Sequence, residues 1–479
     1  MLFDKSSVVP LTFLFAVSAI ASAQTLQTLV NQPPGGAGLE FQLTDGTILC
    51  QAGNDHDFYK LTPDITGSYV NGTWTQVASL PSGYEPDAFS SAVLADGRVV
   101  VVGGEYNYGQ FVLTNKGAIY DPVSNTWTAL GHPTGWPNIG DSPSVVLPSE
   151  KFLIGDKLNM YMASLDPTTL TWTEESSKGK ADFNAEEGWT LLPSGDILTA
   201  DVKNAPNSEI YTPSTGLWIT QGSTVALLAA PSTLGPIDYP GGVYDPPGEI
   251  GPAILRPDGS VFATGAANSG SAHTAVYRHG AAPGEGTWTA GPNFPNDAAG
   301  DASAALLPDG NVLVIGNSGQ LYEFNGTTLT PTIRPPLAFY LMMLPTGQVI
   351  LTGGEIQVYN PTGTYEPAWA PAITSYPTTV ELGSTYQIFG TQFNGLSQGA
   401  AYGDEFQTAT NYPLVRITNT ATGHVFYART HNHSTMAVAT GSEIVNTNFD
   451  VPTTMETGPS TLEVVANGIP SPPVGITVN

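Results

Sequence analysis

The sequence predicts an all-β protein: a seven-bladed β-propeller followed by a small C-terminal antiparallel β-sandwich. Three observations carry this. A module of hydrophobic run, tight turn, second run and glycine recurs as "LADGRVVVVGG" (Leu94–Gly104), "LLPDGNVLVIG" (Leu306–Gly316) and "LPTGQVILTGG" (Leu344–Gly354). Tryptophans recur behind it at Trp74, Trp127, Trp172, Trp218 and Trp288, often after a "Y-x-P" step as in "IYDPVSNTWT" (Ile119–Thr128). Finally, 53 Gly and 40 Pro in 479 residues, with almost no helical periodicity, favour strands and turns.

The chain opens with Lys5, an apolar stretch Leu11–Ile20 and the small-residue step Ala21-Ser22-Ala23. That pattern reads as a secretory signal peptide over residues 1–23, too short to span a bilayer. No later apolar run is long enough to cross a membrane, so export and no integral membrane association are expected. Cys50, the only cysteine, lies in the apolar run "TILCQAG" and can form no intrachain disulfide. Fourteen Lys plus Arg against 41 Asp plus Glu give a net charge of −27. Such a chain repels nucleic acid and favours cations, basic partners or neutral sugars.

Turn glycines fall at Gly46, Gly97, Gly195, Gly259, Gly310 and Gly347, and "VVLPSEKFLIG" (Val145–Gly155) supplies a copy without glycine. That makes seven units at intervals near fifty residues, each a four-stranded meander with tryptophan marking the fourth strand of five of them. One meander cannot bury both faces, whereas seven arranged radially can. The propeller is placed at residues 24–370. From Pro371 the rhythm gives way to Thr/Val-rich strands broken by Gly, Asn and Pro, so residues 371–479 form the second domain.

In a meander, the start of the first strand and the end of the second share one face of the disc. Asp87, Asp141, Glu187, Glu249 and Asp301 each stand seven to nine residues before the turn of their unit, so they are expected to meet at one rim. Clustered carboxylates raise one another's pKa or recruit a cation, and Ca²⁺ or a cationic ligand is the chemistry such a ring suits. The same residues also end strands by bonding local amides. An insertion before the fifth unit, "GPIDYPGGVYDPPGEIG" (Gly235–Gly251), overhangs that face and offers Tyr239 and Tyr244 for stacking on sugars or side chains. In "GHVFYARTHNHSTM", His431 and His433 have a strand spacing that can hold a metal, though two histidines without a third ligand also suit an ordinary polar strand.

With "DGRVVVVGGEYN", "YDPVSNTWTAL" and "LEVVANGIPS", the chain resembles the kelch-type copper-radical oxidases, galactose oxidase and glyoxal oxidase. The resemblance implies that the C-terminal domain is immunoglobulin-like (E-set). It also implies a copper held by two tyrosines and two histidines, one tyrosine cross-linked to a cysteine. Here the cysteine's place falls on Leu39, the cross-linked tyrosine's on Ala88 and the tyrosine–histidine pair's on Leu337-Ala338. Only Thr430-His431 matches the remaining histidine. The scaffold is therefore expected without copper-radical chemistry. The expected function is a secreted, non-catalytic propeller binding a carbohydrate or an exported protein on its loop-rich first-strand face. The alternatives are a diverged oxidase or carbohydrate-active enzyme, and a structural, self-assembling surface protein.

Overall fold

A computed structural model describes residues 24–239, 242–282, 284–403 and 406–479. The leader assigned to residues 1–23 lies outside the described residues. The fold is all-β, with one 3₁₀ turn at Pro367–Trp369 as the only helical element among the described residues. No helix there is long and apolar enough to cross a membrane.

Each predicted unit folds as an antiparallel meander. Sheet 1 comprises Glu40–Gln42, Ile48–Gln51, Phe58–Thr62 and Thr73–Gln76. Sheet 2 starts at Ser90–Val93, sheet 3 at Ser144–Val146, sheet 4 at Thr190–Leu191, sheet 5 at Ala253–Leu255 and sheet 6 at Ser303–Leu306. Sheet 7 takes three strands from Tyr340–Asn360 and its fourth from Thr25–Thr28 at the other end of the chain. Second strands such as Val99–Val102 are wholly buried, which is why they read as unbroken β-branched runs.

The Asp-Gly turns work as their chemistry requires. Asp45 Oδ1 accepts from the Thr47 amide at 3.0 Å and Asp96 Oδ1 from the Arg98 amide at 3.0 Å. Gly46 sits at φ +75°, and a Cβ there would come within 2.3 Å of the Tyr427 ring. In the copy without glycine, Glu150 itself takes the left-handed conformation at φ 71°. Glu150→Gly is expected to stabilise the protein by about 0.5–1 kcal/mol, the left-handed strain relieved outweighing the added chain entropy; an unchanged urea midpoint would refute this. All five tryptophans lie in fourth strands. There they tie sheet to sheet: Trp127 Nε1 donates to the Ala78 carbonyl at 3.0 Å, and its ring lies 4.9 Å from Phe58 of sheet 1.

Beyond residue 371 the strands pair in one continuous network around Val380, Ile388, Val415, Phe449, Leu462 and Ile476. Val425–His431 joins its two parts, pairing Leu414–Asn419 through its first half and Val445–Asp450 through its second. One segment leaves this network and runs among the first strands of the sheets. Ala400–Tyr402 adds antiparallel to Ser303–Ala305 of sheet 6. Gln398 and Gln407 bond the backbone of sheet 4 at Leu191 and Trp189. Phe406 packs on Phe89 at 5.1 Å and Tyr340 at 5.6 Å, and Tyr412 donates to the Gln42 carbonyl of sheet 1. A segment touching that many first strands occupies the space they share. It fills the axis.

Candidate functional site

On the side where the first strands begin, the sequence builds an acidic mouth around one lysine. Lys157 follows the second strand of sheet 3, and its side chain is fully buried. Its ammonium donates to Glu186 Oε1 at 2.6 Å and to Asp141 Oδ2. Tyr244, carried by the insertion, donates its hydroxyl to the same Glu186 oxygen at 2.9 Å, and Lys157 stands 5.4 Å from its ring centre. Glu186, Glu249 and Asp301 each bring a carboxylate oxygen within 4.8 Å of the others. Glu105, at the end of the second strand of sheet 2, feels both Glu186 and Asp301.

Local backbone explains these positions. Glu186 and Asp301 hold left-handed conformations at φ 62° and 45°, uncommon for residues with a Cβ. Asn317, at the end of the second strand of sheet 6, braces the bend before Asp301 by donating to the Gly300 carbonyl at 2.6 Å and accepting from its amide at 3.1 Å. Ala230–Pro231 pairs with Gly248–Glu249 at the base of the insertion and delivers Glu249; Ile237–Tyr239 pairs with Gly242–Tyr244 above it. Strained non-glycine backbone at several starts of neighbouring strands is a mark of sites selected for something other than stability.

Electrostatics follow from crowding. Asp301 touches solvent, yet protein surrounds it on most sides, so desolvation and then Glu186 push its carboxyl up to about 6, while a hydrogen bond with Glu249 works the other way. Burial likewise raises Glu105, and Lys157 partly offsets it. The mouth opens into a pocket of about 390 Å³ bounded by Glu105, Tyr106, Phe111, Glu186, Tyr244 and Glu249. Phe111, which lines the pocket, meets Tyr239 of the insertion edge-on at 5.8 Å, and Tyr106 and Tyr244 add further rings to the lining.

Of the five expected carboxylates, Asp141, Glu249 and Asp301 meet here. Asp87 stays outside the cluster, exposed in a short strand and capping the Ala88 amide at 2.9 Å. Glu187 turns away altogether: the left-handed bend at Glu186 sends it inward, where it pairs with the buried Lys180 at 2.8 Å. Glu186 takes the place expected for Glu187. Tyr239 packs on Phe111, whereas Tyr244 is buried and bound to Glu186 rather than offering a free platform. Lys157 and Glu186 carry no signal in the sequence.

The histidines do not gather as metal ligands. His431 Nε2 bonds Asp450 Oδ1 at 3.1 Å, in the strand network of the C-terminal region. His433 is buried against Thr447 Oγ1 at 2.8 Å, and burial pushes its pKa down to about 3. Their neighbours Thr430 and His433 bond the Thr44 and Ala95 carbonyls, beside the Asp-Gly turns and away from the mouth. Four of the positions the resemblance assigns to the copper site offer no ligand atom. Leu39 and Ala338 are buried hydrocarbon, Ala88 has only a methyl, and Leu337 is an exposed hydrocarbon. Cys50 is buried opposite Glu40 in sheet 1, and that burial pushes its thiol well above the usual range.

Repeated meanders, an axial segment and a mouth built on first-strand starts point to a class: the chain is similar to kelch-type proteins of galactose-oxidase-like architecture. It is 28% identical to galactose oxidase of Gibberella zeae over 249 residues, 47% of this chain and 33% of that enzyme. Kelch-like protein terF of Aspergillus terreus is 27% identical over 138 residues, 28% of each chain. The match thus spans about a third of the length of either curated relative. A fungal alcohol oxidase of the AA5 family, solved in complex with copper, superposes with a TM-score of 0.51 at 14% identity, covering 96% of this chain and 100% of that one. No protein-family model matches.

Proposed function

We propose that this is a secreted, non-catalytic seven-bladed kelch propeller with an immunoglobulin-like C-terminal domain at residues 371–479, binding a carbohydrate or an exported protein in the acidic mouth. The seven meanders and the packing of most first strands on their neighbours in chain order support the blade count. The observation that carries the function is the mouth itself: carboxylates clustered around Lys157, beside a pocket of about 390 Å³ lined in part by aromatic rings. Carboxylates hydrogen-bond sugar hydroxyls or pair with basic side chains, and rings supply apolar faces. Ca²⁺ or a basic group of the partner would offset the surplus of negative charge.

The test is a glycan array and a pull-down from the exported proteome, each repeated with Glu186→Gln. That change keeps the shape and removes the charge binding Lys157 and Tyr244. Ligand affinity is expected to fall about tenfold, the value of roughly 1.4 kcal/mol. Oxygen-dependent peroxide release abolished by a chelator would overturn the reading in favour of an oxidase. One arrangement favours a second reading, a carbohydrate-active enzyme: Asp301 and Glu249 bring carboxylate oxygens within 4.8 Å of each other, and desolvation and Glu186 push Asp301 up to about 6, as an acid–base pair needs. Release of reducing ends, lost in Asp301→Asn, would establish it.

A further inference from the structure

A second pocket, of about 420 Å³, opens on the other side of Asp301. Its size falls within the roughly 300–1,000 Å³ of small-molecule sites. Its lining carries both charges. Asp301 lines it, with Glu249 and Glu186 close by. Arg334 lines it too, in a chain with only 14 Lys plus Arg. The Arg334 guanidinium donates to the Ser318 carbonyl and forms no salt bridge among the described residues. One bond fixes the group and leaves the rest of its fork of donors available. Pro336, Leu337 and Phe339 line it as well, and the last two are about half exposed although they are large hydrocarbons. Tyr402 of the axial segment completes the lining.

We infer that this pocket binds a short peptide zwitterion of dipeptide size, its ammonium on Asp301, its carboxylate on Arg334 and an apolar side chain against Leu337 and Phe339. A neutral sugar could hydrogen-bond both groups but would neutralise neither charge, and a simple cation or anion would offset only one. Arg334 suits a carboxylate because its planar fork can donate two parallel hydrogen bonds. The occupant is distinct from that of the first pocket, so the inference stands whether or not the mouth binds a carbohydrate or protein. Asp301 and Arg334 line this pocket and not the first one, although Asp301 lies within 4.8 Å of Glu186 and Glu249, which line the other.

Titration calorimetry with L-leucyl-L-leucine tests it on the whole protein. Binding is expected, and it should weaken at least tenfold for N-acetyl-leucyl-leucine, which lacks the ammonium, and for leucyl-leucinamide, which lacks the carboxylate. Arg334→Gln lies on the surface and should fold normally; it should lose the preference for the free carboxylate while leaving that for the ammonium intact. Asp301→Asn should do the reverse. Affinity should also fall as pH drops below about 6, where Asp301 takes up a proton among Glu105, Glu186, Glu249 and Lys157. No binding at millimolar peptide, equal binding of the blocked peptides, or unchanged affinity in Arg334→Gln would each overturn the assignment.

Discussion

Lys180→Met will destabilise the protein by about 3–5 kcal/mol, the cost of leaving buried carboxylates without their cation. Lys180 Nζ lies 2.8 Å from both oxygens of Glu187 and 2.8 Å from Glu209 Oε2, and all three side chains are essentially sealed from water. Its ammonium also stands 4.8 Å from the Trp218 ring, so no water takes its place cheaply. Glu209 is held further by the Ala181 amide at 2.8 Å and cannot swing out to solvent. These carboxylates raise the Lys180 pKa above its ordinary value despite its burial. A raised lysine contributes stability in full below its unfolded pKa and loses it only as pH rises through the folded one. At neutral pH the whole contribution is present. Thermal unfolding should therefore show a fall of about 3–5 °C. Adding Glu187→Gln and Glu209→Gln to Lys180→Met should recover much of the loss, because neutral buried groups need no counter-charge. A single variant within 1 kcal/mol of the parent would show that the cluster is wet.

The melting temperature will be higher at pH 5 than at pH 8. Burial pushes Glu40 up to about 8 and Asp156 and Asp201 up to about 6. A carboxyl with a raised folded pKa binds its proton more tightly in the folded state, so folding weakens as pH climbs from the unfolded value near 4 through the folded one. Glu40 matters most. It is fully buried in the first strand of sheet 1, with one hydrogen bond, from Thr352 Oγ1 at 2.7 Å. At about 1.4 kcal/mol per pKa unit its ionisation costs on the order of 4 kcal/mol. Lowered net charge acts in the same direction. The carboxyls that folding depresses, such as Asp64, Asp121 and Asp450, withdraw their support only as pH falls below their ordinary value near 4, outside this window. Glu40→Gln should match the parent at pH 5 and exceed it at pH 8. Scanning fluorimetry at constant ionic strength decides it; a melting temperature that is flat or rises with pH refutes the account.

Meanders and turns were legible because they are local. An Asp-Gly turn between two apolar runs needs nothing from the rest of the chain, and even Glu150 could be placed from its flanks. The axial segment was not legible. "SQGAAYGDEFQTATNY" reads as a polar loop because the partners of Gln398, Gln407 and Tyr412 lie over 200 residues away in sequence. Lys157 and Lys180 were silent for the same reason: a lone lysine in a loop gives no sign that carboxylates from other segments will enclose it. The site failed by one residue at Glu187. Strand alternation assigns faces correctly only while the backbone stays extended, and the left-handed bend at Glu186 exchanges the two neighbours. Asp87 failed differently, its strand diverging to pair with Tyr106–Asn107 before the sheet begins.

Thr25–Thr28 hydrogen-bonds to Gln357–Asn360, so the last sheet is completed by the first strand of the described chain. Synthesis proceeds from the amino end, and this strand must therefore wait, unpaired, while more than 300 residues are made. During that interval both it and its future neighbour are open sheet edges, the surfaces through which unfinished chains stick to one another. Closure is also the contact of greatest sequence separation in the sheet, which makes it a late event and a slow one. Yield in a host that makes or exports the chain quickly should therefore be limited at this latch. The interval can be shortened: a circularly permuted gene joining the two ends of the chain would leave only residues 361–479 and a linker between the two strands.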